Sequence, residues 1–259
     1  MNKNLYQLYD EKFYSNHVQG MSKSAETVLR LLNEHYNPQS VIDIGCGQGA
    51  WLAAAEFLGA KILYGMDGPW VKRENLLSEN IDFSAINFED TMPNLDEKYD
   101  LCISLEVAEH ISNAKAKEFI DFLCTASDIV LFSAAIKCQG GTHHINEQWQ
   151  SYWIELFKTN GYECLDLFRK KLWDNNSVEW WYRQNIFLFV APSTNSLNVE
   201  LLRSQEKPIV DIAHPLNYEK KVISYRNSIA DPTLRFCLGC FRRYLKNTAL
   251  RLGSHVRLT

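Results

Sequence analysis

No apolar run in this sequence approaches the ~20 residues that cross a bilayer. Ile129–Ile136 is far too short. Basic residues are not in excess either: the formal net charge is −4, which gives no general case for a nucleic-acid partner. The opening residues, Met1-Asn2-Lys3-Asn4-Leu5-Tyr6-Gln7, lack the apolar centre of an export signal. The 7 cysteines are odd in number and several fall in expected strands or helices, so they read as reduced thiols in a cytoplasmic protein. Cys237-Leu238-Gly239-Cys240 is a C-x-x-C without a second pair, which packing explains more readily than zinc or redox chemistry. Internal repeats and low-complexity tracts are absent.

What the chain does have is apolar content, 46% of 259 residues, enough for one large α/β domain with an appendage. Ala25, Val28, Leu29 and Leu32 fall at helical spacing, with Ser22 or Ser24 as a cap and Pro38 as a stop. Strands are expected at 40–44, 61–66, 83–88, 99–105, 128–135, 162–168 and 185–190, with helices after Ala50 and over 113–126 and 147–160. This alternation predicts a doubly wound sheet. The aromatic segment 3–20 (Tyr6, Tyr9, Phe13, Tyr14, His17) and the helix after it form an expected N-terminal cap, 1–37. A main domain then covers 38–191, and a helical, basic extension covers 192–259. Within that extension, residues 234–259 carry Arg235, Arg242, Arg243, Lys246, Arg251 and Arg257 and no acid. Such a tail suits an anionic membrane surface or glycan carrier, or packs back on the domain as a solvated helix.

The chain is organised around Val41-Ile42-Asp43-Ile44-Gly45-Cys46-Gly47-Gln48-Gly49. It reads as a buried strand running into a glycine turn at a sheet's carboxyl edge, where open parallel sheets bind nucleotides. Gly45 to Ala50 also satisfies the dinucleotide pattern G-x-G-x-x-G/A, with Asp67 at the spacing of a ribose-binding acid. Asp43 is the discordant residue. An acid at the tip of an apolar strand requires a partner, and a ligand with an ammonium group would provide one.

From about Tyr9 to Val190 the chain resembles class I S-adenosylmethionine (SAM) dependent methyltransferases of the type found in bacterial cell-surface polysaccharide clusters. The resembling stretches are 41–51, Gly65-Met66-Asp67-Gly68, Ser104-Leu105-Glu106-Val107-Ala108-Glu109-His110, 132–136, 139–149 and Trp181-Tyr182-Arg183-Gln184-Asn185. Lys137-Cys138 departs from it, standing where Pro-Gly is expected. The resemblance implies a Rossmann-like, mostly parallel seven-stranded sheet with the last strand antiparallel. It implies that Asp43 and the backbone of Gly45, Gly47 and Gly49 hold the methionyl end of SAM, with Cys46 and Trp51 in the same stretch. Asp67, followed by Gly68, would take both ribose hydroxyls. Asn87 and Phe88 would meet the adenine, and Glu106 would line the sulfonium side.

Methyl transfer to an alcohol needs alignment and a base. His110, His143 and His144 fall near the ends of the fourth and fifth strands, with Glu109 and Glu147 close by. His144 is the first candidate base and His110 the second. Glu147 is a further catalytic candidate or an ordinary acid of a helix's first turn. Their spacing fits no strong zinc pattern, so no metal is assigned. Trp149, Trp153, Trp173, Trp180 and Trp181 divide between core and a groove for sugar rings. The expected acceptor is a glycan, nucleotide-sugar or phosphate-type group, with an oxygen as target. A nicotinamide-dependent oxidoreductase and a non-catalytic scaffold of glycan assembly remain as alternatives. Contact with the inner membrane is expected, if anywhere, through the basic tail.

Overall fold

The structure, a computed structural model, describes residues 11–192, 194, 209–230 and 232–255. A first compact unit runs to His214 and a second begins at Pro215. In the first unit, α1 (Glu11–Asn33) leads into β1 (Ser40–Ile44), α2 (Ala50–Phe57), β2 (Ile62–Asp67) and β3 (Asp82–Ala85). Then come β4 (Leu101–Leu105), α3 (Ala116–Ala126), β5 (Ile129–Ser133), α4 (Gln150–Thr159) and β6 (Glu163–Leu165). Two short helices, α5 (Arg169–Leu172) and α6 (Trp180–Asn185), precede β7 (Phe187–Val190). The strands form one seven-stranded sheet in the order β3-β2-β1-β4-β5-β7-β6. Every pairing is parallel except those of β7, which runs antiparallel to β5 and β6. This is the expected doubly wound α/β fold with its last strand reversed.

Alternation along each strand builds a core on both faces of the sheet. Val41, Leu101, Ile103, Leu131 and Leu188 point to one side, onto Ala25, Val28, Leu29 and Leu32 of α1 and Leu52 of α2. Ile42, Cys102, Val130, Phe132 and Phe189 point to the other, onto Phe119 and Leu123 of α3 and Phe157 of α4. Phe157 stacks on Phe189 with ring centroids 3.8 Å apart and meets Phe132 edge-on at 5.2 Å. Trp153 belongs to this core, tilted against Phe132 and 2% exposed, so it lines no groove. The connection from β1 leaves towards β2 and the one after β4 leaves towards β5. The crevice between the ends of β1 and β4 is therefore the topological switch point, where ligands of such sheets sit.

Several expected boundaries move. Neither Ser22 nor Ser24 caps α1, which begins at Glu11. The Ser24 hydroxyl donates one turn back to the Gly20 carbonyl at 2.7 Å and accepts the Glu179 amide at 3.0 Å, tying α1 to α6. The strands expected over 83–88, 128–135 and 162–168 are each shorter, because pairing with a neighbour ends them. The side chains of the aromatic segment 3–20 lie outside the described residues, save Gly20. The first unit extends past the composition change at 191. Gln150 donates to the Ile212 carbonyl at 3.0 Å, Ser151 bonds Asp211, and the His214 amide donates to Gln184 at 2.7 Å. The second unit holds α7 (Pro215–Ala230) and α8 (Leu234–His255).

Candidate active site

The glycine turn after β1 is shaped by backbone conformations that other residues seldom adopt. Gly45, Gly47 and Gly49 have φ of 88°, 54° and 77°. A Cβ on Gly45 would strike Val107, so this glycine lets the turn pass under the loop after β4. Gly49 has another task from the one expected. It begins α2 and faces Ile81, outside the pocket lining. Its left-handed conformation sets the direction of the helix. The amides of Gly45 and Cys46 both donate to the Met66 carbonyl, at 2.7 and 3.0 Å, and so bind the turn to the end of β2.

At that end Asp67 is held rigidly. Its carboxylate accepts the Gly47 amide at 2.7 Å and the Gly68 amide at 2.6 Å. Burial raises its pKa to about 6, against the pull of these amides and of Trp70. Asp43 is 2% exposed and one of its oxygens has no hydrogen-bond partner. Burial, and then the charge of Asp67, push its pKa well above the usual carboxylate range. Two carboxylates in one recess, one of them unsatisfied, form a site for a cation with hydroxyl groups.

The recess has a volume of about 260 Å³ and is lined by Asp43, Gly45, Cys46, Gly47, Trp51, Asp67, Gly68, Asn87, Phe88 and Glu106, all expected there. Trp51 is fixed edge-on to Tyr182 at 5.2 Å. The Phe88 ring is largely committed to the core beside Phe119 and Phe122, and Asn87 donates to Asp90 at 2.7 Å. Trp70, Val107 and Tyr182 also line the recess and were not expected. Trp70 and Tyr182 lie in, or just beyond, the resembling stretches, but no spacing rule marks them.

Glu106, directly after β4, takes a left-handed conformation, φ 57°, sparsely populated for a residue with a side chain. Asn185 and Gln139 donate to its carboxylate at 3.1 and 3.2 Å, and Gln184 supports Gln139 at 2.9 Å. The stretch Trp181–Asn185 thus anchors the pocket from behind.

Beyond Glu106 lies a cluster of acids and histidines. Glu109 is fully buried, and neither carboxylate oxygen makes a hydrogen bond of ordinary geometry. Burial and then the charge of Glu106 raise its pKa strongly. His110 and His144 meet edge-on with centroids 4.9 Å apart. His110 Nδ1 faces the His143 carbonyl at 3.2 Å. Burial, then His144, lower the pKa of His110 to about 4, so its ring is neutral near pH 7. His144 Nδ1 lies 2.9 Å from Glu147, and its Nε2 lies 4.0 Å from Glu109. His110 and His143 line the recess, whereas His144, the first candidate base, stands outside the lining. The reason is local: His143 takes φ 61°, and the following amides of Ile145 and Asn146 both donate to the Glu109 carbonyl, at 2.9 and 3.0 Å.

A family model described as a methyltransferase domain matches residues 14–185, and the chain belongs to that family. The cofactor is S-adenosylmethionine, and the recess presents an unsatisfied carboxylate at Asp43, a second acid at Asp67 and the open backbone of the glycine turn. Over 99 residues the chain is 34% identical to the mitochondrial ubiquinone biosynthesis O-methyltransferase of Dictyostelium discoideum, covering 32% of this chain and 30% of that protein. Over 128 residues it is 30% identical to ribosomal protein L11 methyltransferase of Fusobacterium nucleatum, with coverages of 46% and 40%. The matches span less than half the length of these curated relatives. Magnesium protoporphyrin IX methyltransferase from Synechocystis, solved with bound SAH, aligns with TM-score 0.50 at 19% identity over 66% of this chain and 84% of that one. An O-methyltransferase family protein from Burkholderia thailandensis aligns with TM-score 0.53 at 14% identity over 71% and 59%. Both of these likenesses are of fold.

Proposed function

We propose that the protein is a SAM-dependent O-methyltransferase whose acceptor is a sugar hydroxyl or a phosphate-type oxygen in surface glycan assembly. The observation that carries this reading is the continuity of one recess from the Asp43–Asp67 pair to His110 and His143. The cofactor supplies a methyl group already activated on a sulfonium, so the chain has to align the acceptor and remove its proton. Asp43 and Asp67 fix the two ends of the cofactor. Glu106, held by Asn185 and Gln139, shapes the wall beside the reacting centre. His110 is the member of the acid–histidine cluster that meets the acceptor, and Glu109, His144 and Glu147 stand behind it. The acceptor O–H bond breaks as its proton passes to this cluster or to solvent. The oxygen bonds to the methyl carbon, and the carbon–sulfur electron pair stays on sulfur, which leaves S-adenosylhomocysteine.

Two observations disfavour a nicotinamide enzyme. Dinucleotide folds place two parallel mononucleotide-binding halves side by side, whereas here β7 is antiparallel between β5 and β6. The unsatisfied Asp43 would also face a pyrophosphate. The reading is tested by transfer of labelled methyl from SAM to nucleotide sugars, to lipid-linked glycans and to their phosphorylated forms. His110→Ala should slow transfer about 10²–10⁴-fold while SAM affinity stays within a few-fold. Thermal stabilisation by NAD but not by SAM would overturn it.

A further inference from the structure

We propose that Glu109, His110 and His144 hold a divalent transition-metal ion, and that the acceptor oxygen reaches this ion from the cofactor recess. The proposal rests on the methyltransferase reading of the recess. One ligand atom from each residue falls within 4.8 Å of the others. Two imidazoles and a carboxylate are the donor set of open zinc and related first-row sites, which keep a further position for substrate.

Three independent features fit. The Glu109 carboxylate is fully buried beside Glu106 and neither oxygen has a hydrogen bond of ordinary geometry, an arrangement that a bound cation improves. Each histidine turns its Nδ1 to the kind of group that orients a metal ligand, His110 to the His143 carbonyl and His144 to the Glu147 carboxylate. In the neutral tautomer this sets, the lone pair lies on Nε2, and for His144 that nitrogen is the one 4.0 Å from Glu109. His110 lines the recess, so a position left open on the ion opens towards the acceptor. Ligand bonds of ~2.0–2.2 Å in a tetrahedral site put donors ~3.4 Å apart, so the side chains draw together by ~1 Å on loading. Coordination lowers the pKa of a hydroxyl. The acceptor then loses its proton to solvent while the histidines remain neutral ligands.

The test uses the full, untagged chain stripped with chelator and titrated with Co2+ by calorimetry and visible absorption. SAM affinity is measured on the same samples. One equivalent of Co2+ is expected, with a spectrum free of thiolate charge-transfer bands, which excludes exposed Cys237 and Cys240 as the site. Glu109→Gln and His144→Ala should abolish that equivalent while SAM still binds. Glu147→Gln should weaken it about 10–100-fold. Co2+ that fails to bind a SAM-competent protein, binds both ligand variants equally, or shows thiolate bands would overturn the site. Loss of SAM binding with the Co2+ equivalent intact would instead count against the cofactor reading alone.

Discussion

At the scale of the residue, the two acids of the recess make opposite demands. Asp67 already has two amides, at 2.7 and 2.6 Å, and offers its remaining lone pairs to hydroxyls. Asp67→Ala should weaken SAM about tenfold or more, since charge-assisted hydrogen bonds are worth about 1.5–3 kcal/mol each. Calorimetry reads this directly, and an unchanged affinity would reduce Asp67 to a strand-end residue. Its pKa of about 6 also gives a pH signature. A folded pKa above the unfolded value of about 3.9 means that the ligand-free fold favours the protonated acid. That stabilisation is complete below about pH 4 and is lost as pH rises through 6. Ribose hydroxyls donate to the ionised form, so SAM affinity should fall as pH drops below about 6. Asp67→Asn should flatten the profile over that range, and a variant with the wild-type slope would trace the effect to Asp43 instead. Asp43 was legible in the sequence because an acid on an apolar strand has few explanations. The order of the histidines was not, because a single residue with φ 61°, His143, decides which ring faces the recess.

At the scale of the element, existence was easier to read than extent. The periodicity of α1 and the strands β1, β4 and β5 were visible. The ends of β3 and β6 were not, since pairing with another strand sets them and no local residue does. Gly49 shows the same limit, because the family resemblance implied ligand contact there, whereas in the structure it launches α2 past Ile81. Gly45 carries a sharper demand. At φ 88°, with Val107 where a Cβ would stand, Gly45→Ala adds both backbone strain and a clash. The turn should shift, and SAM affinity should drop about tenfold or more, as local strain of 1–3 kcal/mol implies. A Gly45→Ala protein with wild-type affinity would show that the turn relaxes without loss. Phe157 tests the core from α4. It is fully buried between Phe132 and Phe189, so Phe157→Ala should destabilise the fold by about 3–5 kcal/mol in denaturant unfolding. A loss below about 1 kcal/mol would mean that α4 collapses onto the sheet without penalty.

At the scale of the molecule, the sheet with one reversed strand and the domain family were within reach of the motifs, but the second unit was not. Composition marked 192–259 as different without saying where packing ends, and the first unit in fact continues to His214. The second unit's α8 presents Leu234, Leu238, Phe241 and Leu245 at helical spacing, all at least half exposed. Arg235, Arg242, Arg243 and Lys246 lie beside that stripe, exposed and unopposed by any acid in 234–259. No helix among the described residues is long and apolar enough to cross a membrane. An apolar stripe flanked by cations is the pattern of a helix lying at an anionic interface, and we propose that α8 takes up that position, bringing the enzyme to a lipid-borne acceptor. Basic residues near such a surface contribute about 1 kcal/mol each. Replacing Arg242, Arg243 and Lys246 together by serine should therefore weaken binding to anionic vesicles about 100-fold, with SAM affinity unchanged. Replacing Leu238 and Phe241 by serine should weaken it as well, by removing the buried part of the contact. Raising salt should release the wild-type chain, because the attraction is screened within ~10 Å at 0.1 M. Co-sedimentation with anionic and with neutral vesicles measures all three effects. Equal binding to both kinds of vesicle, or none to either, would remove the membrane from the function and leave α8 as a surface for another partner.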